Sequence, residues 1–199
     1  QFFYFIECLG ILGFALSGAI LAKQKKFDIV GVYIIACLTA FGGGTLRDII
    51  LDHNPVYWIS RSEFPFFLLI ILVILSLKKP FPVHRHWLIV PDTIGMAFFS
   101  ITTAQSTHND GYPIIIVAIL STLVATFGGI IRDTLCQEMP LIFRSDSSLY
   151  ASVAFTSACL FVGLNDFLLL STPVSMTIAS IFAICTRLAA YKFNIRLKI

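Results

Sequence analysis

Phe41-Gly42-Gly43-Gly44-Thr45-Leu46-Arg47-Asp48 lies inside one apolar run, and Phe127-Gly128-Gly129-Ile130-Ile131-Arg132-Asp133 lies inside another. Their shared core, Gly-Gly-x-x-Arg-Asp, returns after 85 residues. The same offset pairs Ile29 with Ile114, Val32 with Val117, Ile34 with Ile119, Leu38 with Leu123, Ala40 with Ala125 and Pro55 with Pro140. Upstream it pairs Gly10 with Gly95, Phe14 with Phe99, Ala19 with Ala104, and acidic Glu7 with acidic Asp92. One gapless register fits every pair, so the chain is a duplicated unit. Glycine interruptions of hydrophobic helices at corresponding places in two halves point to a membrane transport site.

Composition sets the solvent. The chain has 199 residues, is 57% hydrophobic and 13% charged, and has a mean hydropathy of +0.89. A soluble domain carries about 25% charged residues. Too little polar surface is present to coat a water-exposed globule, so lipid must surround most of the chain. Cys8, Cys37, Cys136, Cys159 and Cys185 lie in apolar runs and form no Cys-x-x-Cys; they read as small hydrophobes rather than disulfides or metal ligands. The first residues, Gln1-Phe2-Phe3-Tyr4, carry no basic stretch, so no cleavable signal peptide is expected.

A membrane-spanning helix needs about 17–25 apolar residues. Seven spans are predicted: 3–21, 29–51, 64–77, 88–104, 112–136, 149–164 and 174–190. The third is short, and Lys78 and Lys79 would snorkel to the interface. Pro173 is placed to open the last helix. The expected fold class is therefore an all-α integral membrane protein with seven transmembrane helices, in one membrane domain covering 1–199. Two three-helix repeats, 1–79 and 86–164, are followed by an extra helix at 173–191. Three spans per repeat is an odd number, so the second copy enters from the opposite face and the repeats are inverted. Eleven basic residues (Lys23, Lys25, Lys26, Lys78, Lys79, Arg85, Arg144, Arg187, Lys192, Arg196, Lys198) fall on one side, against Arg61 on the other. The positive-inside rule then places the amino end outside and the carboxyl end in the cytoplasm.

Chemistry concentrates at the motifs. Gly42, Gly43 and Gly44, with Gly128 and Gly129, are expected to kink or break the second and fifth spans, freeing carbonyls for a cation. Arg47 sits about 10 Å past the middle of its span at 1.5 Å per residue, where an arginine costs at least ~2.5 kcal/mol. Adjacent helical residues do not face one another, so Asp48 is not the expected partner of Arg47, nor Asp133 of Arg132. Depth pairs Glu7 with Arg47 near the outer side and Asp92 with Arg132 near the inner side, as gating or structural ion pairs. Ser17, Thr45, Thr102 and Thr103 are candidate pore-lining hydroxyls; close packing is the commoner use of small residues in such bundles. His53, His84, His86 and His108 fall in predicted loops, and His84-x-His86 has no accompanying carboxylate motif. No Ser-His-Asp set, Walker loop or dinucleotide fingerprint is present. No enzyme activity, metal, cofactor or nucleic-acid partner is expected.

Gly-Gly-Gly-Thr-Leu-Arg-Asp and Gly-Gly-Ile-Ile-Arg-Asp, on the second and fifth of seven spans in about 200 residues, are similar to the motifs of the trimeric intracellular cation (TRIC) channel family. The resemblance covers essentially the whole chain and is nearest to the bacterial branch, also described as putative glycine transporters. It implies a homotrimer with one pore per protomer, conducting monovalent cations, potassium or sodium as the permeant ion, with potassium favoured. It places the pore between the second and fifth helices with the first and fourth around it, and implies residence in the cell (inner) membrane with lipid as a partner. The Lys-Glu-Val motif of animal members, which binds an inositol phospholipid, is absent. Inverted repeats with broken helices fit a second reading equally: a secondary transporter for a small zwitterion such as glycine.

Overall fold

The computed structural model describes residues 2–53, 55–59, 68–69, 85–144 and 149–195. Within them the chain is all-helical: α1 (Phe2–Gln24), α2 (Ile29–Ile50), α3 (Arg85–Asn109), α4 (Ile114–Leu135), α5 (Tyr150–Asp166) and α6 (Thr172–Lys192), with a 3-10 turn at Leu141–Phe143. These are the first, second, fourth, fifth, sixth and seventh predicted spans. The third, 64–77, lies outside the described residues except for helical Leu68 and Leu69. Five of the helices, α1, α2, α3, α4 and α6, are long and apolar enough to cross a membrane. α5 has 17 residues, the lower limit of about 17 for a span.

Helix is the only local solution for such runs, because a backbone in hydrocarbon must satisfy its own hydrogen bonds. Asp28 caps α2 by accepting the Gly31 N–H at 2.8 Å. Pro173 stands in the first turn of α6, as predicted. α2 and α4 end alike. Asp52 and Gln137 both take φ of 55°, and the next residues, His53 and Glu138, donate back to the carbonyls of Asp48 and Asp133 at 2.8 Å. This is the Schellman closure, repeated at the 85-residue offset.

α1 packs on α2 and α3, α3 on α4, α2 on α4, and α5 and α6 close against α3. The contacts are reciprocal. A Cβ on Gly10 would lie 3.0 Å from the Phe99 ring, and one on Gly95 would run into the Phe14 ring. The two phenylalanines stack with centroids 5.3 Å apart. Gly43 faces the Val124 carbonyl oxygen, and Gly128 faces that of Thr39. Each contact maps onto its partner by adding 85 to one residue number and subtracting it from the other. Along α1, residues 10 and 14 meet 99 and 95, so α1 and α3 run antiparallel.

The outer surface repeats as well. Val30, Ile34 and Leu38 on α2, and their counterparts Ile115, Ile119 and Leu123 on α4, are exposed; their spacing of four makes an apolar stripe suited to lipid.

The α2 and α4 backbones remain α-helical straight through the glycines. The expected break is therefore corrected: no non-helical segment interrupts either helix. The missing side chains are used for close approach, which returns in packing what glycine gives up in helix propensity.

Two ties clasp the bundle ends. Lys25, after α1, pairs with Glu138, after α4. His53, after α2, pairs with Asp110, after α3, at 3.1 Å. The offset maps one tie onto the other with the places of base and acid exchanged. Arg144 also reaches Glu138, at 2.9 Å. The hydrogen bond from Lys25, assisted by the charges of Lys25 and Arg144 and opposed by desolvation, holds the Glu138 carboxyl below its ordinary range. A lowered folded pKa stabilises above the ordinary carboxylate value and loses that stabilisation as pH falls through the folded one. Glu138→Gln is expected to cost less than about 1 kcal/mol at neutral pH, as exposed pairs do. It should also flatten the acid limb of a thermal-stability profile between about pH 5 and pH 3; an unchanged limb would remove Glu138 as its source.

Candidate functional site

Two buried charge clusters occupy corresponding places, each at the last turn of a glycine helix. In the first, Arg47 is 3% exposed and Glu7 and Asp48 are each 2% exposed. Arg47 Nη1 donates to Glu7 Oε1 at 3.2 Å and Nε donates to Asp48 Oδ1 at 2.7 Å. Asp48 Oδ2 accepts the Tyr57 backbone N–H at 2.8 Å, and the guanidinium lies 5.3 Å from the Tyr57 ring centroid. In the second cluster, Arg132 and Asp92 are fully buried. Arg132 Nη1 donates to Asp92 Oδ1 at 2.6 Å and to Ser17 Oγ at 2.9 Å. Its Nε donates to Asp133 Oδ1 at 2.8 Å, and Asp133 Oδ2 accepts the Leu141 N–H at 3.0 Å.

The two pairings expected from depth, Glu7 with Arg47 and Asp92 with Arg132, are both present. The expectation that neighbours in sequence would not pair is corrected. Each arginine bonds the aspartate beside it through Nε, because the long side chain folds back along its helix while Nη1 reaches across. Each buried aspartate also fixes the returning loop through its second oxygen. Cluster, helix end and loop are thus one hydrogen-bonded unit, and a buried charge is strongly destabilising once its partner is removed.

The predicted hydroxyls separate. Ser17 joins the Arg132 cluster. Thr45 donates to the Phe41 carbonyl and accepts from Trp58 Nε1 at 3.0 Å. Thr102 bonds back toward Phe99 in its own helix. Thr103 is buried, with no hydrogen-bond partner for its hydroxyl among the described residues. Gly44 abuts the Tyr57 ring, Gly42 faces the Ile131 side chain, and Gly129 faces the Tyr150 hydroxyl. His108 pairs with Asp166 at 3.0 Å, while His84 and the His86 side chain lie outside the described residues. Among the described residues, no group of three or more His, Cys, Asp or Glu could hold a metal.

Arg187 was assigned above to the cytoplasmic basic residues. It is 3% exposed within α6. Its Nη2 lies 3.6 Å from Asp92 Oδ2, and its guanidinium sits 3.8 Å from the Tyr150 ring centroid. The signal was legible, since a lone arginine inside an apolar span is a functional hypothesis by default. Tyr57 and Tyr150 had no comparable signal: they are 93 residues apart, off the repeat register.

Long apolar helices in a repeated bundle, with a carboxylate-paired guanidinium buried at corresponding places in each repeat, define a polytopic helical membrane protein. The model of the family described as Glycine transporter matches residues 4–78 and 89–166. The UPF0126 membrane protein YvgT of Bacillus subtilis is 33% identical over 195 residues, 96% of this chain and 93% of that one. The UPF0126 inner membrane protein YadS of Escherichia coli K12 is 30% identical over 202 residues, 98% of this chain and 94% of that one. The TRIC trimeric intracellular cation channel orthologue from Rhodobacter sphaeroides matches with a TM-score of 0.89 and 28% identity, covering 97% of this chain and 98% of that one. The chain belongs to this family, the bacterial branch of the TRIC channels.

Proposed function

We propose that the protein is a monovalent cation channel of the inner membrane, permeable to potassium, with a path through each protomer beside the α2–α4 crossing. The observation that carries the reading is the pair of neutralised arginine clusters at corresponding positions of a reciprocal bundle. An unpaired arginine near a cation path would repel the ion; here both guanidiniums are held by carboxylates. The likeness to the Rhodobacter sphaeroides channel supports the same class.

The reciprocal antiparallel contacts support two inverted three-helix units, 1–79 and 86–164, with α6 outside them. The amino end faces outward, Glu7–Arg47 forms the outer gate and Asp92–Arg132 the inner one, and the axes of α2 and α4 bend at their glycines. Three copies assemble, and lipid covers the apolar stripes. The relatives' family description favours a second reading, uptake of glycine.

Purified protein in a planar bilayer under a potassium gradient separates the two. Discrete current steps reversing toward the potassium equilibrium potential are expected. Saturable glycine counterflow without current would overturn the channel and establish the transporter.

A further inference from the structure

We propose that Asp92 and Tyr150 form a monovalent-cation site, and that Arg187 is its tethered occupant, displaced when a permeant ion arrives. The proposal rests on the channel reading above and names the ion's contact with the inner cluster.

Asp92 uses its two oxygens unequally. Oδ1 is committed to Arg132 at 2.6 Å. Oδ2 is buried and accepts no hydrogen bond among the described residues; Arg187 Nη2 stands 3.6 Å from it, beyond hydrogen-bond range. Guanidinium–carboxylate pairs close to about 2.7–2.9 Å when they bond. Leaving a buried carboxylate oxygen without a donor is costly, so Oδ2 is a coordination position held open beside a positive charge.

The Tyr150 hydroxyl is a second buried oxygen without a hydrogen-bond partner among the described residues. A Cβ on Gly129 would lie 3.2 Å from that hydroxyl, 3.6 Å from Asp92 Oδ1 and 3.8 Å from Arg132 Nη2. The second glycine of the motif therefore keeps the cluster's face clear of side chain. The Tyr150 ring already receives a cation, the Arg187 guanidinium, at 3.8 Å, the geometry of a cation–π contact.

Charge selects the ion. Arg132 and Arg187 balance Asp92 and Asp133. When Arg187 withdraws, one negative charge remains, which a monovalent cation neutralises and a divalent one overshoots. Arg187 comes from α6, outside the repeat, so it can withdraw without pulling apart the α2–α4 crossing. Among the described residues the outer cluster has no such visitor: there Arg47, already bonded to two carboxylates, is the cation near the tyrosine ring.

The test uses the full-length protein in two assays. In liposomes, Arg187→Ala is expected to raise potassium flux about tenfold, since removing a resident charge from a low-dielectric path strips out a barrier. Millimolar guanidinium added to the α6 carboxyl-terminal side should block that variant and leave wild type and Arg187→Lys unaffected. In detergent, replacing choline chloride by potassium chloride at equal ionic strength should raise the unfolding midpoint of Arg187→Ala more than that of wild type. Tyr150→Phe in the Arg187→Ala background should reduce that shift. If Arg187→Ala does not fold, Arg187→Gln carries the same measurements. Equal flux and no guanidinium block, or equal potassium shifts in variant and wild type, overturn the proposal. Absence of current in wild type overturns the channel reading instead, because the potassium shift requires no conduction.

Discussion

Arg132→Ala is expected to lower folding stability by about 3–5 kcal/mol, the cost of removing one partner from a buried ion pair. The side chain is fully buried and makes three kinds of bond: to Asp92 on α3, to Ser17 on α1 and to Asp133 beside it. Truncation leaves two buried carboxylates facing each other across the space it filled. Arg187 offsets only part of this from 3.6 Å. Arg47→Ala should act in the same direction with a smaller effect. Its cross-helix bond is longer, 3.2 Å against 2.6 Å, and it lacks the additional bond to a serine on α1. Unfolding midpoints of purified protein check the order, and potassium flux in liposomes checks the function. If both variants keep wild-type flux, the arginines hold the helices together and do not gate. If the double variant Asp92→Asn with Arg132→Met recovers most of the stability, the loss came from unpaired charge rather than lost volume.

What the sequence disclosed, it disclosed through periodicity and depth. The 85-residue register equated Gly10 with Gly95 and Phe14 with Phe99, residues that the structure joins in reciprocal contacts, and depth gave the two arginine–carboxylate pairs across helices. Four features escaped it. The bonds from Arg47 to Asp48 and from Arg132 to Asp133 run against the rule for neighbouring residues, which describes side chains on a solvated helix and not a buried guanidinium. Tyr150 stands at the first turn of α5 and Tyr57 in the loop after α2, so the partners of Gly129 and Gly44 come from unrelated chain positions. Arg187 was read by its closeness to the basic carboxyl end rather than by the apolar residues on both sides of it. The glycine runs were read as breaks because glycine is a poor helix former. A partner backbone at the crossing changes that balance, and only tertiary structure reveals it.

Gly128→Ala should be the most damaging single methyl group in the protein. A Cβ there would run into the Thr39 carbonyl oxygen, and one on Gly43 would lie 2.5 Å from that of Val124. Both obstacles are backbone, with no flexible end to swing aside, so the helices must separate. Overpacking of this kind costs about 1–3 kcal/mol, and separating two glycine helices forfeits dispersion contacts along the whole crossing. Gly43→Ala should follow closely. The double variant should cost less than the sum, because the first methyl opens the gap that the second occupies. Two controls use the same chemistry. Gly42→Ala meets only the tip of the Ile131 side chain, which can turn. Gly163→Ala on α5 meets nothing within 4 Å and should stabilise by up to about 1 kcal/mol through helix propensity. Midpoints falling in the order 163, 42, 43, 128 would establish that these glycines serve the crossing. If 43 and 128 tolerate alanine as 42 does, close approach is not their purpose, and the carbonyls of a loosened helix again become the better account of why the motif is rich in glycine.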